Sequence, residues 1–151
     1  MVNPFFKNHG PFKISELISL IDCKETKINI DKEITDINDL NSANNNELTF
    51  FHSKKYKDIA RKTKASYCLT TKQLKNELPK SCIAIVVDNV LVSTSKITSL
   101  FYPQSINDDF DETVSNIENT KFKNNVIFGK NVLIGENVSI GNNCKIGHNT
   151  I

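Results

Sequence analysis

The chain has 151 residues, of which 38% are hydrophobic and 24% charged, and a formal net charge of +2. That length allows one ordinary domain, or a small domain with an appendage, and so slight a charge singles out no partner. Of the 19 basic residues only Arg61 is an arginine, which argues against a nucleic-acid surface, since readers of phosphates and base edges lean on arginine.

In chain order, the leader MVNPFFKNHGPFK lacks an apolar core long enough for a signal peptide. Ser15 to Asp22, with Leu17, Ile18 and Ile21 on one side, has helical spacing, and Ser15 suits its N-cap. Lys27–Ile30 and Glu33–Ile37 alternate as half-buried strands do. Asn41–Glu47 carries turn chemistry and leads into a strand over Leu48–Phe51. A short basic helix is expected over Lys54–Lys62, then strands over Ser66–Thr70 and Cys82–Val87, with a helical stretch at Gln73–Glu77 between them. Asp88-Asn89 turns into a helix from Val90 to Phe101, with Val90, Thr94, Ile97 and Phe101 on one face, and Pro103 stops it. Gln104–Thr120 is polar and acidic and reads as a connection, with a degenerate first repeat around Thr113–Glu118.

From Phe122 the sequence repeats every six residues: FKNNVI, FGKNVL, IGENVS, IGNNCK, IGHNTI. Neither a helix nor a two-faced strand has that period; a β-solenoid does, each hexad forming one flat side of a coil. The opening Phe or Ile is expected to stack inside, and Gly129, Gly135, Gly141, Gly147 and the asparagines to make left-handed corners. Ile151 closes a hexad, so the chain reads as the front part of a longer protein. The expected plan is an α+β domain over residues 1–103, a linker over 104–121, and a truncated parallel β-helix over 122–151.

Cys23, Cys68, Cys82 and Cys144 are widely spaced without a CxxC, which predicts neither a zinc site nor a disulfide framework. Cys68 and Cys82 lie in apolar runs and read as buried thiols. The longest apolar run, Ile83–Val87, is too short to cross a bilayer, and a cytoplasmic location is expected. No metal or cofactor is expected either. The most pointed chemistry outside the repeat is Phe50-Phe51-His52-Ser53-Lys54-Lys55-Tyr56. Phe50 and Tyr56 could close on a flat ring from both faces, with Ser53 giving a hydrogen bond and Lys54 and Lys55 charge for phosphates. Equally, Phe50 and Phe51 could be core residues of alternating strand faces before a solvated helix.

The segments Ile14–Ile21, Glu47–Phe51, Lys55-Tyr56, Val86–Asn89 and Leu100–Pro103 ahead of the hexads together resemble the UDP-3-O-acylglucosamine N-acyltransferases of lipid A synthesis. The resemblance implies a left-handed β-helix and a uridine site in the N-terminal domain, with the base between the residues matching Phe50 and Tyr56. Ser53 replaces an amide of that family. It further implies transfer of a 3-hydroxyacyl chain from acyl carrier protein to the 2-amino group of a UDP-3-O-acylglucosamine, by a homotrimer with a histidine general base. That histidine is expected beyond Ile151, leaving no catalytic residue here. His148, in Ile146-Gly147-His148-Asn149, comes too soon after the aromatic pair to match it and reads as a corner residue. The alternatives are a non-catalytic UDP-sugar-binding or trimerising fragment, or another hexapeptide O- or N-acyltransferase.

Overall fold

The computed structural model describes residues 6–24, 29–106 and 111–151. They fall into two compact units, one over Phe6–Ile106 and one over residues 111–151.

In the first unit, β1 (Phe12–Lys13) runs into α1 (Ile14–Ser19) and pairs antiparallel with β2 (Glu33–Ile34). β3 (Asp36–Ile37), β4 (Glu47–Phe51), β5 (Tyr67–Thr70) and β6 (Ile83–Val86) form one sheet in sequence order, every neighbouring pair parallel. α2 (Lys57–Ala60), preceded by a 3-10 turn over Lys54–Tyr56, lies between β4 and β5 in the chain; α3 (Val90–Phe101) follows β6. Parallel neighbours require such crossovers, and the crossing segments cover both faces of the sheet. On one face Leu48, Tyr67, Leu69, Ile85 and Val87 pack with Ile14, Leu17 and Ile21 at α1 and with Val90, Ile97 and Phe101 of α3. On the other, Phe51, Cys68 and Cys82 pack with Leu40, Ala43, Ala60 and Ala65. All four residues of β5 are therefore buried, each large apolar side chain contributing about 1.5–3 kcal/mol of burial.

Several expectations need correction. Glu33–Ile37 is not one strand: β2 and β3 join different sheets, and Thr35 between them bonds through its amide to the Asn46 carbonyl. α1 begins one residue early and is capped by Glu16, whose carboxylate accepts the Lys13 amide at 2.7 Å, not by Ser15. The strand expected over Lys27–Ile30 lies partly outside the described residues, and Asn29 and Ile30 are not in a strand. The helix expected over Gln73–Glu77 is a single 3-10 turn over Lys75–Glu77. α3 spans the predicted residues and is capped by Asn89, whose side chain accepts the Val92 amide at 3.1 Å. Cys68 and Cys82 are buried thiols.

In the second unit, β7 (Ser115–Asn116) precedes a 3-10 turn over Ile117–Asn119, and β8 (Ile127–Phe128), β9 (Leu133–Ile134) and β10 (Lys145–Ile146) follow. β8 and β10 pair in parallel, Ile127 with Lys145 and Phe128 with Ile146. Partners thus lie three hexads apart, so one coil takes three hexads. Phe122, Val126, Val132 and Ile134 are buried together with Ile117, and Phe128, Ile140 and Ile146 pack against them. The fifth position of the early hexads therefore faces inward as well as the first. The segment expected to be linker supplies Ile117 to this core, and β7 pairs antiparallel with β9, unlike a first hexad in register.

The corners differ from expectation too. Asn131, Asn137, Asn143 and Asn149 take positive φ, between 55 and 61°, and no glycine does. Asparagine adopts this conformation at modest cost because its short polar side chain bonds locally; here Asn131 Nδ2 donates to Asn149 Oδ1 at 2.9 Å, one coil to the next. Gly129 serves a different need. A Cβ there would lie 2.7 Å from the His148 amide nitrogen, so the missing side chain admits the adjacent coil.

Candidate functional site

The residues following β3 and β4 meet because those strands are parallel neighbours, in register from Asp36 opposite Glu47. Their carboxyl ends point the same way, and in open parallel sheets that edge is where ligands bind. A cavity of about 290 Å³ opens there, at the small end of the range for ligand pockets. Asp39, Leu40 and Asn41 line it from the β3 side; Phe50, His52, Tyr56 and Ile59 line it from β4 and the turn beyond.

Phe50 and Phe51 pack on opposite faces of β4, Phe50 against the core that holds Leu48 and Leu69. Phe51 is wholly buried in the core with Ala60 and Cys68, whereas Phe50, on the opposite strand face, is half-buried and turned to the cavity. His52, just past the end of β4, brings its ring beside that of Phe50. The two rings are nearly parallel, 6.4 Å between centroids and 25° between planes. Tyr56 stands 5.6 Å from His52 at 50° and is 37% exposed. The aromatic pair expected from sequence is therefore a group of three, with His52 as the bridging ring.

Ser53 does not line the cavity. Its hydroxyl accepts the Lys55 amide at 3.4 Å and starts the 3-10 turn that presents Tyr56. Lys55 Nζ lies 6.0 Å from the Tyr56 ring centre, a cation–π distance, while Lys57 and Arg61 are paired with Glu77. Lys54 and Lys55 are exposed beside the cavity and are in no ion pair among the described residues. Asp39 is the negative group of the lining, but its carboxylate is engaged: Asn41 and Ser42 amides donate to Oδ1 at 2.8 and 3.2 Å, and the Ser42 hydroxyl to Oδ2 at 2.7 Å. The Ser42 hydroxyl, then the Asn41 amide, hold this carboxyl below the usual aspartate range. Sequence reading missed Asp39, Leu40 and Asn41. The Asp-x-x-Ser turn was legible, but no local signal ties it to Phe50; strand pairing does.

His148 is placed as a coil-to-coil clip. Its Nδ1 accepts the Lys130 amide at 2.7 Å, and its backbone packs on Gly129. No group of His, Cys, Asp and Glu suited to a metal ion occurs among the described residues, and no described helix is long and apolar enough to cross a membrane.

Residues 31–100, which contain the whole cavity, match the family model described as UDP-3-O-(3-hydroxymyristoyl) glucosamine N-acyltransferase, LpxD. Over this segment the chain is similar to the LpxD family. Residues 119–151 match the bacterial transferase hexapeptide repeat. The curated proteins named UDP-3-O-acylglucosamine N-acyltransferase from Rickettsia typhi and Rickettsia prowazekii are 32% and 31% identical over 100 residues, 65% of this chain. That of Rickettsia canadensis is 31% identical over the same length. The chain's matched part spans 29% of the length of these relatives. A segment that matches the LpxD family model, followed by hexapeptide repeats, disfavours the alternative of another hexapeptide O- or N-acyltransferase.

Proposed function

We propose that this chain is the front portion of an N-acyltransferase of lipid A synthesis and that its first unit binds the uridine diphosphate end of the substrate. The observation that carries the reading is the aromatic cavity at the carboxyl edge of the sheet, inside the segment matching the LpxD family. The uracil ring stacks on Phe50 and Tyr56, Ser53 fixes the turn that presents Tyr56, and Lys54 and Lys55 face the diphosphate. The hexads begin a left-handed parallel β-helix that assembles into a homotrimer in the cytoplasm. In the full reaction the 2-amino group of UDP-3-O-acylglucosamine attacks the thioester carbonyl of a 3-hydroxyacyl chain on acyl carrier protein. An N–C bond forms, the C–S bond breaks, the carrier thiol leaves, and a general base takes the amine proton. We place that base outside this chain, because His148 has its Nδ1 lone pair committed to the Lys130 amide.

Calorimetric titration of the full chain with UDP tests the reading. Tyr56→Ala is expected to weaken binding by about 1–3 kcal/mol through loss of one stacking face. Equal affinity of wild type and variant for UDP would remove the nucleotide-site assignment.

A further inference from the structure

The cavity's apolar walls explain why a flat ring would enter it; its unspent polar groups bear on which ring. Of the polar groups there, the Asp39 carboxylate already accepts three hydrogen bonds from its own turn. The Ser53 hydroxyl caps the turn outside the lining. The Asn41 carboxamide and the His52 imidazole remain, beside the hydroxyl of Tyr56, whose ring is assigned to stacking. Among the described residues neither side chain has a hydrogen-bond partner, although both line the cavity, one from each of the two adjoining loops. His52 is also held beside Phe50 and Tyr56 by ring contacts, so its imidazole lies next to the rings on which a base would stack.

We propose that Asn41 and His52 read the edge of the bound base, through hydrogen bonds to the imide N3–H and its flanking carbonyl oxygens; the proposal rests on the nucleotide reading above. A carboxamide carries acceptor and donors in one plane, and an imidazole carries one nitrogen of each kind when neutral. Together they satisfy an edge on which a donor lies between two acceptors. Stacking alone tolerates every base, so discrimination falls to these two side chains, because an edge group left unpaired in the site costs its hydrogen bond with water.

The test is titration of the full chain with UDP and with N3-methyl-UDP, which keeps the ring, ribose and phosphates but removes the central donor. In the wild type, methylation is expected to weaken binding about tenfold. In His52→Phe, which keeps a ring beside Phe50, and in Asn41→Ala, UDP binding falls about threefold to tenfold and the methylation penalty shrinks. His52→Gln, which keeps polar groups, restores part of that penalty. Tyr56→Ala weakens both ligands by the same factor, since stacking does not depend on N3. A methylation penalty as large in His52→Phe and Asn41→Ala as in the wild type overturns the proposal, as does no penalty in the wild type. If the edge variants match the wild type while Tyr56→Ala weakens UDP, the edge assignment falls and the nucleotide site stands. No UDP binding by the wild type removes both.

Discussion

Tyr102, just past the end of α3, donates its hydroxyl to both oxygens of Asp36 in β3, at 2.8 and 2.9 Å, and accepts from Asn8 Nδ2 at 3.3 Å. Burial first, then the Asp36 carboxylate, push the phenol up to about 12, against about 10 for an unfolded tyrosine. The fold therefore favours the neutral phenol. Its stabilisation is whole below about pH 10 and is lost as the pH rises through the folded value. Tyr102→Phe is expected to flatten that alkaline loss of stability. At neutral pH the same change costs about 1–3 kcal/mol, since the Asp36 carboxylate loses a donor. Urea unfolding at pH 7 and across the alkaline range measures both; an unchanged alkaline slope in the variant would contradict the assignment.

At the level of the coil, the glycines of the four Gly-containing hexads are unequal although the sequence writes them alike. A Cβ on Gly129 would meet backbone atoms of His148 at 2.7 and 2.9 Å, and one on Gly135 would meet Asp111 Oδ2 at 3.0 Å. At Gly141 the nearest atom is Cys144 Sγ at 3.8 Å, ordinary contact. Gly129→Ala is therefore expected to destabilise the second unit by about 1–3 kcal/mol through overpacking against a backbone that cannot yield. Gly141→Ala, at negative φ in an open position, should be neutral or slightly stabilising through the unfolded chain. Thermal melts of the two variants decide the matter, and equal losses would mean that coil spacing does not dictate these glycines.

Across the whole molecule, the two units differ in how much they bury. The first has a parallel sheet covered on both faces, with Leu48, Leu69, Ile85, Ile97 and Phe101 fully buried. The second has one core, around Ile117 and Val132, with Phe128, Ile140 and Ile146 only partly covered and Val138 and Ile127 exposed. Fewer buried apolar groups per hydrogen-bonded strand mean cheaper local opening. Amides of β8 and β9 are thus expected to exchange with deuterium through openings well below the free energy that protects β5. Equal protection of β5 and β9 would show a source of stability in the coils beyond their own core.

Local signals were enough wherever neighbours in sequence carry the physics. The helix from Val90 to Phe101, the strand into Phe51, the buried thiols at Cys68 and Cys82, and the six-residue coil side were all legible, because periodicity, capping and punctuation act over a few residues. Left-handed corners were legible as a need but not by residue: both Gly and Asn tolerate them, and only the packing of His148 onto Gly129 separates the glycine's role from that of Asn131. Tertiary structure alone decided that Glu33–Ile37 splits between two sheets, and that Ile117, within the apparent linker, belongs to the coil core. It also decided the cavity. Phe50 and Tyr56 announce themselves by chemistry, but Asp39, Leu40 and Asn41 join them through the parallel register of β3 and β4. Strand pairing is a long-range choice, selected by which faces can be buried together, and no window of local sequence contains it.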